Sequence, residues 1–264
     1  MAILFSLTTG TSAGLPQGRD SGLDFIDTSF ENASPVWYER APDGTIRVHL
    51  LYDHERSSPN RAAGHIHLRL HGRTGSRFTL EFMNQRFLEH YTVYILPMAN
   101  KDGVARGMTR FNVMGKDLNR NWDTPADPNL APENAALERW LEQMIADGRR
   151  PHLAMELHND GNGRLHISRP PVPQLPRHLE RMAVLESLLR KKTWFTEGST
   201  NEAFRNSGTL GDGWLERYGI DAVVHEFNCN WIAGLETRPL GRHWSEYGEK
   251  LAEVFDEYFR AVKP

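Results

Sequence analysis

The feature that most constrains this chain is an apolar run that leads directly into a long loop rich in glycine and arginine. The run, Tyr91–Leu96, is apolar and partly β-branched, which predicts a buried strand. Gly103, Gly107 and Gly115 predict turns in the sequence behind it, where Arg110 is one of several basic residues. Because an α/β fold often presents its site on a loop at the end of a strand, this stretch predicts such a fold with a site in the loop.

Predicted strands and helices alternate along the rest of the chain, which is typical of an α/β fold with helices on both faces of a largely parallel or mixed sheet. The apolar patterns predict further strands at residues 46–52, 65–71, 153–158 and 220–227. They predict helices at residues 78–89, 132–147, 177–192 and 213–217, and a last one at the C-terminal end. We expect a single domain over residues 1–264, with residues 1–60 as an irregular or β-stranded lead-in.

Composition argues against several classes of protein. The 264 residues carry a formal net charge of −3 with no long run of one sign, so no nucleic-acid partner is expected. No window approaches the length of a membrane span, so no membrane partner is expected either. Cys229 is the only cysteine, and the fold cannot depend on an intramolecular disulfide. The short apolar N-terminus has no basic leader, and we expect a cytoplasmic protein.

Two blocks in the arginine-bearing loop give a family resemblance. The first is the turn Asn100-Lys101-Asp102-Gly103, and the second is G-K-D-L-N-R-N-W at residues 115–122, with Arg110 between them. This arrangement resembles the zinc carboxypeptidases of the funnelin (M14-like) type, nearest to the bacterial branch similar to cytosolic carboxypeptidases. That family carries N-P-D-G, an arginine, and G-x-D-x-N-R-x-W; here Lys101 replaces the proline. The resemblance implies one α/β domain with a mixed, mostly parallel eight-stranded sheet and helices on both faces.

The resemblance also implies a Zn²⁺ site. His71 ends a predicted strand at the point where the family carries H-x-x-E, and His158 ends another where the family has its remaining histidine ligand. Glu226 matches the strand of the family's catalytic glutamate. A hydrolytic zinc site needs about three protein ligands and an open position for water. We therefore expect His71 and His158 as metal ligands, and Glu226 as the base that takes a proton from the metal-activated water.

Substrate-binding roles follow from the same resemblance. A guanidinium is planar and permanently charged, which suits Arg110 to the oxyanion that forms during peptide hydrolysis. Arg120, with Asn119 beside it, would grip a substrate carboxylate in a fork. Asp117 could accept the ring N–H of a zinc-bound His71. The expected partner is a peptide, or a small acyl amino acid, with a free carboxylate.

The sequence departs from the family at one metal ligand. Position 74 is threonine, so the three-residue spacing from His71 delivers no carboxylate. Glu81 is the next acid, and in a helix it would lie about 10 Å further along, too far to replace the ligand. Either a ligand comes from elsewhere, or the metal is loosely bound, or the site is dead. The chain's only H-x-x-E, His243 to Glu246, lies in the predicted last helix, and we interpret it as chance.

Three functions are consistent with these residues. The leading hypothesis is a zinc-dependent metallocarboxypeptidase-like hydrolase that removes a C-terminal residue from peptides. The second is an N-acyl amino acid amidohydrolase of the desuccinylase or aspartoacylase kind. The third is a catalytically inactive homologue that binds peptide C-termini. Two further residues have open roles: Glu156 shares a strand face with His158 and is either structural or a partner of that histidine, whereas His225 is predicted to point away from Glu226 and to be structural.

Overall fold

The computed structural model describes the backbone of several N-terminal strands and, from residue 91 onward, most of the chain with its side chains. The described residues are 2–7, 23–25, 36–40, 46–50, 77–80, 91–96, 98–106, 108, 110–200 and 208–262. The predicted strand that ends at His71, with Thr74 and Glu81 behind it, lies outside them.

The described strands form two sheets. They are β1 (Ala2–Leu7), β2 (Leu23–Phe25), β3 (Val36–Arg40), β4 (Ile46–Leu50), β5 (Arg77–Leu80), β6 (Tyr91–Leu96), β7 (Leu153–Asp160), β8 (Leu165–Ile167) and β9 (Asp221–Asn228). The larger described sheet has the order β2-β6-β1-β7-β9-β8, and the smaller one has the order β3-β4-β5. In the larger sheet β1 pairs antiparallel with both β6 and β7, whereas β7 and β9 are parallel neighbours.

This architecture confirms the mixed α/β class but not the strand count. The larger sheet has six described strands, and the remaining three form the separate antiparallel sheet, so an eight-stranded sheet is not confirmed. Strand β4 confirms the prediction for residues 46–52 over most of its length. The helix predicted at residues 78–89 is wrong at its start, because Arg77–Leu80 pairs in register with β4. Its four residues alternate polar and apolar, so the pairing satisfies a period of two over this short stretch. That residues 1–264 form one domain stays a prediction.

The helices lie on both faces of the larger sheet. They are α1 (Lys101–Ala105), α2 (Pro132–Ala146), α3 (Leu175–Lys192), α4 (Leu210–Tyr218) and α5 (Gly241–Val262). The helix predicted to begin at Pro132 is confirmed as α2, with proline in its first turn, where no intrahelical N–H bond is lost. Helices α3 and α5 confirm the predictions for residues 177–192 and the C-terminal end. Within the described part of the chain, no helix has the length and apolar character needed to cross a bilayer.

Each central strand contributes alternate residues to two apolar cores. On one face Leu153, Met155 and Leu157 of β7 pack in a cluster with apolar residues of α3 and α5. On the other face Ala154 belongs to a cluster with residues of α2 and α4, including Trp214. A strand with apolar side chains on both faces must be covered on both faces, which explains why the helices divide between them.

The second face becomes polar towards the carboxyl ends of β7 and β9. After Ala154 the residues on this face of β7 are Glu156 and His158, and on β9 the matching residues are Val224 and Glu226. Because β7 and β9 run in the same direction, their carboxyl ends meet at one edge of the sheet. The fold therefore gathers titratable side chains at this edge, in the position where open α/β sheets bind ligands.

The packing of α4 against the loop in front of α2 allows a direct test of the fold. A Cβ atom built on Gly213 would lie 2.0 Å from the backbone oxygen of Trp122, whereas a Cβ atom on Gly241 would meet nothing within 4 Å. We expect Gly213→Ala to lower the free energy of unfolding by roughly 1–3 kcal/mol through overpacking. Gly241→Ala, the matched control, should leave it unchanged or raise it by up to about 1 kcal/mol. Urea denaturation followed by circular dichroism measures both, and equal values for the two variants would contradict this packing.

Candidate active site

The register of β7 and β9 places His158 directly beside Glu226. The two residues are Cα partners in the parallel pair, so their side chains leave the same face of the sheet. The Nδ1 atom of His158 lies 3.9 Å from Oε1 of Glu226. About a third of the His158 side chain is exposed, and the Glu226 side chain is mostly covered. An imidazole and a carboxylate that were predicted to share a site are thus adjacent.

Glu156 contacts the other nitrogen of the same ring. Its Oε1 atom lies 2.8 Å from Nε2 of His158. Burial favours the neutral form of each group, but the ion pair outweighs burial, so the pKa of Glu156 is lowered and the pKa of His158 is raised. Of the two roles left open for Glu156, this contact favours a partner of His158.

Glu226 lies in a different electrostatic setting. Burial raises the pKa of Glu226 above its ordinary value, although His158 and Arg110 oppose part of the rise. Among the described residues, Oε2 of Glu226 and Oε2 of Glu156 are buried and accept no hydrogen bond. Two buried carboxylate oxygens without a donor, beside one imidazole, form an anionic group of atoms that a divalent cation would satisfy.

The described donors fit a zinc site only in part. No group of three His, Cys, Asp or Glu side chains suited to a metal comes together within the described residues. The predicted ligand His71 lies outside them, and so do Thr74 and Glu81. His158 is therefore the one predicted metal ligand whose surroundings the structure describes.

The arginine-bearing loop is held together by Asp117. Its Oδ2 atom lies 2.9 Å from Nε of Arg110, and its Oδ1 atom accepts the backbone N–H of Asn119 at 3.0 Å. The side-chain oxygen of Asn119 in turn accepts the N–H of Leu210, the first residue of α4, at 3.1 Å. Asp117 was predicted to hold His71; in the described residues its partners are Arg110 and the backbone of Asn119.

Both predicted arginines lie close enough to the strand carboxylates to affect them. Arg110 contributes to the pKa of Glu226, and Arg120 contributes to the lowered pKa of Glu156. Arg120 also donates from Nη1 to the backbone oxygen of Asn119 at 2.6 Å. Half of the Arg110 side chain is exposed. The loop thus brings two guanidinium groups towards the edge of the sheet that carries His158 and Glu226.

Two residues that the sequence analysis did not single out also lie near this edge. Burial raises the pKa of Glu226, and the charge of Asp160 adds to that rise. Burial also lowers the pKa of His166 in β8, and the nearby ring of His158 lowers it further. His166 pairs in register with Val224, which places it on the same face as Glu226. The spacing of two residues between His158 and Asp160 could have placed both side chains on one face of the strand, but the predicted strand ended at residue 158, two residues too early.

Two other histidines do not belong to the site. His225 lies on the opposite face of β9, fully buried among aromatic rings, with its Nε2 atom bonded to the hydroxyl of Tyr247. Burial lowers its pKa to about 3, so it is a neutral core residue, as predicted. His243 of the chance H-x-x-E sequence is also buried, and its Nδ1 atom accepts the N–H of Leu240 at 3.1 Å, while Glu246 is exposed on α5.

Comparison with known proteins gives this geometry a context. Residues 78–159 match the family model described as zinc carboxypeptidase. That segment includes the loop with Arg110, Asn119 and Arg120, and it ends just after His158. This segment is similar to the zinc carboxypeptidases. Cytosolic carboxypeptidase 1 of Homo sapiens and of Gallus gallus are each 32% identical to the chain over 118 residues, which is 40% of this chain and 10% of either relative.

Solved structures extend the comparison to the fold. A metallo-carboxypeptidase from Burkholderia cenocepacia aligns with this chain at a TM-score of 0.51 and 18% identity, over 67% of this chain and 47% of the other. At this level of identity the likeness shows a shared fold. The chain spans about a tenth of the length of the cytosolic carboxypeptidases it matches.

The two contacts of Asp117 can be separated by two substitutions. Asp117→Asn keeps an oxygen for the N–H of Asn119 but removes the charge that holds Arg110. We expect hydrogen exchange at Nε of Arg110 to accelerate in this variant while the Asn119 amide stays protected. Asp117→Ala should accelerate both, and Asp123→Asn in the same loop should change neither. Exchange measured on ¹⁵N-labelled protein by NMR checks this, and unchanged exchange at Arg110 in both Asp117 variants would exclude the ion pair.

Proposed function

We propose that the chain is a zinc-dependent, carboxypeptidase-like hydrolase that removes a C-terminal residue from peptides. The observation that supports this most directly is the adjacent pair His158 and Glu226 at the carboxyl ends of two parallel strands. In the loop after β6, Arg110 affects the pKa of Glu226 and Arg120 affects the pKa of Glu156. The match of residues 78–159 to the zinc carboxypeptidase family supports the proposed roles of Arg110, Arg120 and His158, which lie within that segment.

His158 and the sequence-predicted His71 would hold the zinc ion. About a third of the His158 side chain is exposed, and its Nδ1 atom makes no hydrogen bond to Glu226, which lies 3.9 Å away. Once bound, zinc supplies Lewis-acid chemistry: it lowers the pKa of a water molecule and polarises a scissile carbonyl. The buried oxygens of Glu156 and Glu226, which accept no hydrogen bond from described residues, add negative charge that favours a cation here.

Glu226 would act as the general base and later as the acid. A base works best when its pKa lies near the working pH, and burial moves the pKa of Glu226 upwards, in that direction. After it takes a proton from the attacking water, Glu226 would pass that proton to the amine that leaves. The position of Glu226 beside His158 suits this role, because the base must reach the attacking water and the leaving amine near that histidine.

Arg110 and Arg120 would each bind a different negatively charged group of the substrate. Arg110 is held through Nε by Asp117, and its guanidinium would stabilise a developing oxyanion. Arg120 and Asn119 would bind the terminal carboxylate of the peptide. The side-chain oxygen of Asn119 accepts the N–H of Leu210, and its backbone oxygen accepts a hydrogen bond from Nη1 of Arg120. These bonds hold Asn119 and Arg120 in place relative to α4.

Substitution of Glu226 tests the proposed chemistry. We expect Glu226→Gln to lower kcat by about 10²–10⁴-fold on a peptide with a free C-terminus, because the base is lost while the shape is kept. Zinc content and peptide binding should persist. Glu246→Gln is the matched control, since Glu246 belongs to the chance H-x-x-E sequence and is exposed on α5. The measurements are zinc per chain by atomic emission, kcat by product chromatography, and peptide binding by calorimetry.

The same assay separates the alternatives left by the sequence. An inactive binder of peptide C-termini would bind the peptide and show no hydrolysis with added zinc. An N-acyl amino acid amidohydrolase would hydrolyse small acyl amino acids and leave peptides intact. Full turnover in Glu226→Gln would remove Glu226 from the mechanism, and an equal loss of activity in Glu246→Gln would show that the effect of Glu226→Gln is not specific to the proposed site.

The carboxylate clamp is tested with a second pair of substrates. Wild-type protein should prefer a peptide with a free C-terminus over the same peptide with an amidated one. Arg120→Ala should reduce that preference by about tenfold to a hundredfold, because hydrogen bonds to a charged group contribute about 1.5–3 kcal/mol. The ratio of kcat/KM for the two peptides measures the preference. Arg139→Ala on α2 serves as the control, and an unchanged ratio in Arg120→Ala would refute the clamp.

A further inference from the structure

The two nitrogens of the His158 ring lie in different surroundings. Nε2 lies 2.8 Å from Oε1 of Glu156, and Nδ1 lies 3.9 Å from Oε1 of Glu226. The first distance is that of a charge-assisted hydrogen bond, and the second is too long for any hydrogen bond. Which nitrogen a histidine offers to a metal is set by the bond that its other nitrogen makes.

We infer that Glu156 is a positioning residue that accepts the Nε2–H of His158, so that Nδ1 is the nitrogen offered to a metal ion. This inference rests on the proposed function and adds to it the role of one residue and the choice of one atom. Glu156 reaches Nε2 because it lies two residues before His158 on the same face of β7. Its side chain is mostly covered, which restricts the rotamers that both groups can adopt.

An alternative geometry would make Glu156 a metal ligand itself. In that case the ion would lie between Oε1 of Glu156 and Nε2 of His158. Two ligands with bonds of about 2.1 Å in a tetrahedral zinc site lie roughly 3.4 Å apart. The observed 2.8 Å matches a direct hydrogen bond better than a shared ion. Arg120 also lowers the pKa of Glu156, so the charge of this carboxylate is partly met without a metal.

The coordinating nitrogen can be observed directly. Protein labelled with ¹⁵N in histidine and loaded with ¹¹³Cd²⁺, used as the probe for zinc, shows metal–nitrogen coupling only at the nitrogen that binds. We expect this coupling at Nδ1 of His158. In metal-free protein, at a pH at which the ring is neutral, long-range ¹H–¹⁵N spectra should show the proton on Nε2. Cadmium coupling at Nε2 would overturn the inference and make Glu156 a candidate ligand.

Variants at Glu156 test the positioning role through metal affinity. Glu156→Ala removes the acceptor and should weaken Cd²⁺ and Zn²⁺ binding by about 10–100-fold, the usual effect of losing such a partner. Glu156→Gln keeps an acceptor oxygen and should recover most of that loss. Glu246→Ala is the control, because it also removes one carboxylate but Glu246 is exposed on α5. It should change the affinity by less than about threefold.

The outcomes distinguish this inference from the proposed function. If wild-type protein binds no metal, the proposed hydrolase fails, while the proton on His158 in metal-free protein still tests the role of Glu156. If metal binds with equal affinity in wild type and Glu156→Ala, or if the neutral ring carries its proton on Nδ1, the positioning role is wrong and the hydrolase proposal stands. Thermal unfolding of each variant shows whether a lost affinity reflects a lost fold.

Discussion

The site depends on the parallel pairing of β7 with β9. That pairing sets His158 and Glu226 in register, so two residues separated by 67 intervening positions of sequence share one face and one edge of the sheet. A slip of one residue would turn Glu226 to the opposite face and bring His225 beside His158. The aromatic surroundings of His225 prevent this, because its ring is buried between the sheet and the helices and is bonded to Tyr247. The core on one face therefore secures the register of the site on the other.

The boundary between core and site is set by how far the helices cover the sheet. On the site face, Ala154 and Ala222 pack with residues of α2 and α4. Further along the two strands, this face carries the titratable residues Glu156, His158 and Glu226. Buried carboxylates are costly unless they are paired or bind a cation. The fold meets part of that cost with the His158–Glu156 pair.

The loop after β6 is joined to this edge by hydrogen bonds rather than by apolar packing alone. Asp117 holds Arg110, and Asn119 receives the first N–H of α4, so the loop and that helix position each other. Each of these bonds is modest by itself. Together they fix the direction of two guanidinium groups that would otherwise have wide freedom at a partly exposed surface.

The sequence by itself determined the α/β class and the central strands with their helices, and it predicted Arg110, Asn119, Arg120, His158 and Glu226 as members of one candidate site. Periodicity and turn residues indicate the strands and helices because they act over short distances along the chain, whereas the site residues were predicted from the resemblance of their motifs to those of a known family. Only the tertiary structure decided that Glu156 contacts Nε2 of His158, that Asp117 pairs with Arg110, and that Arg77–Leu80 is a strand. The first two outcomes depend on side-chain rotamers, which the spacing of residues along the chain leaves open, and the third depends on which strands become neighbours.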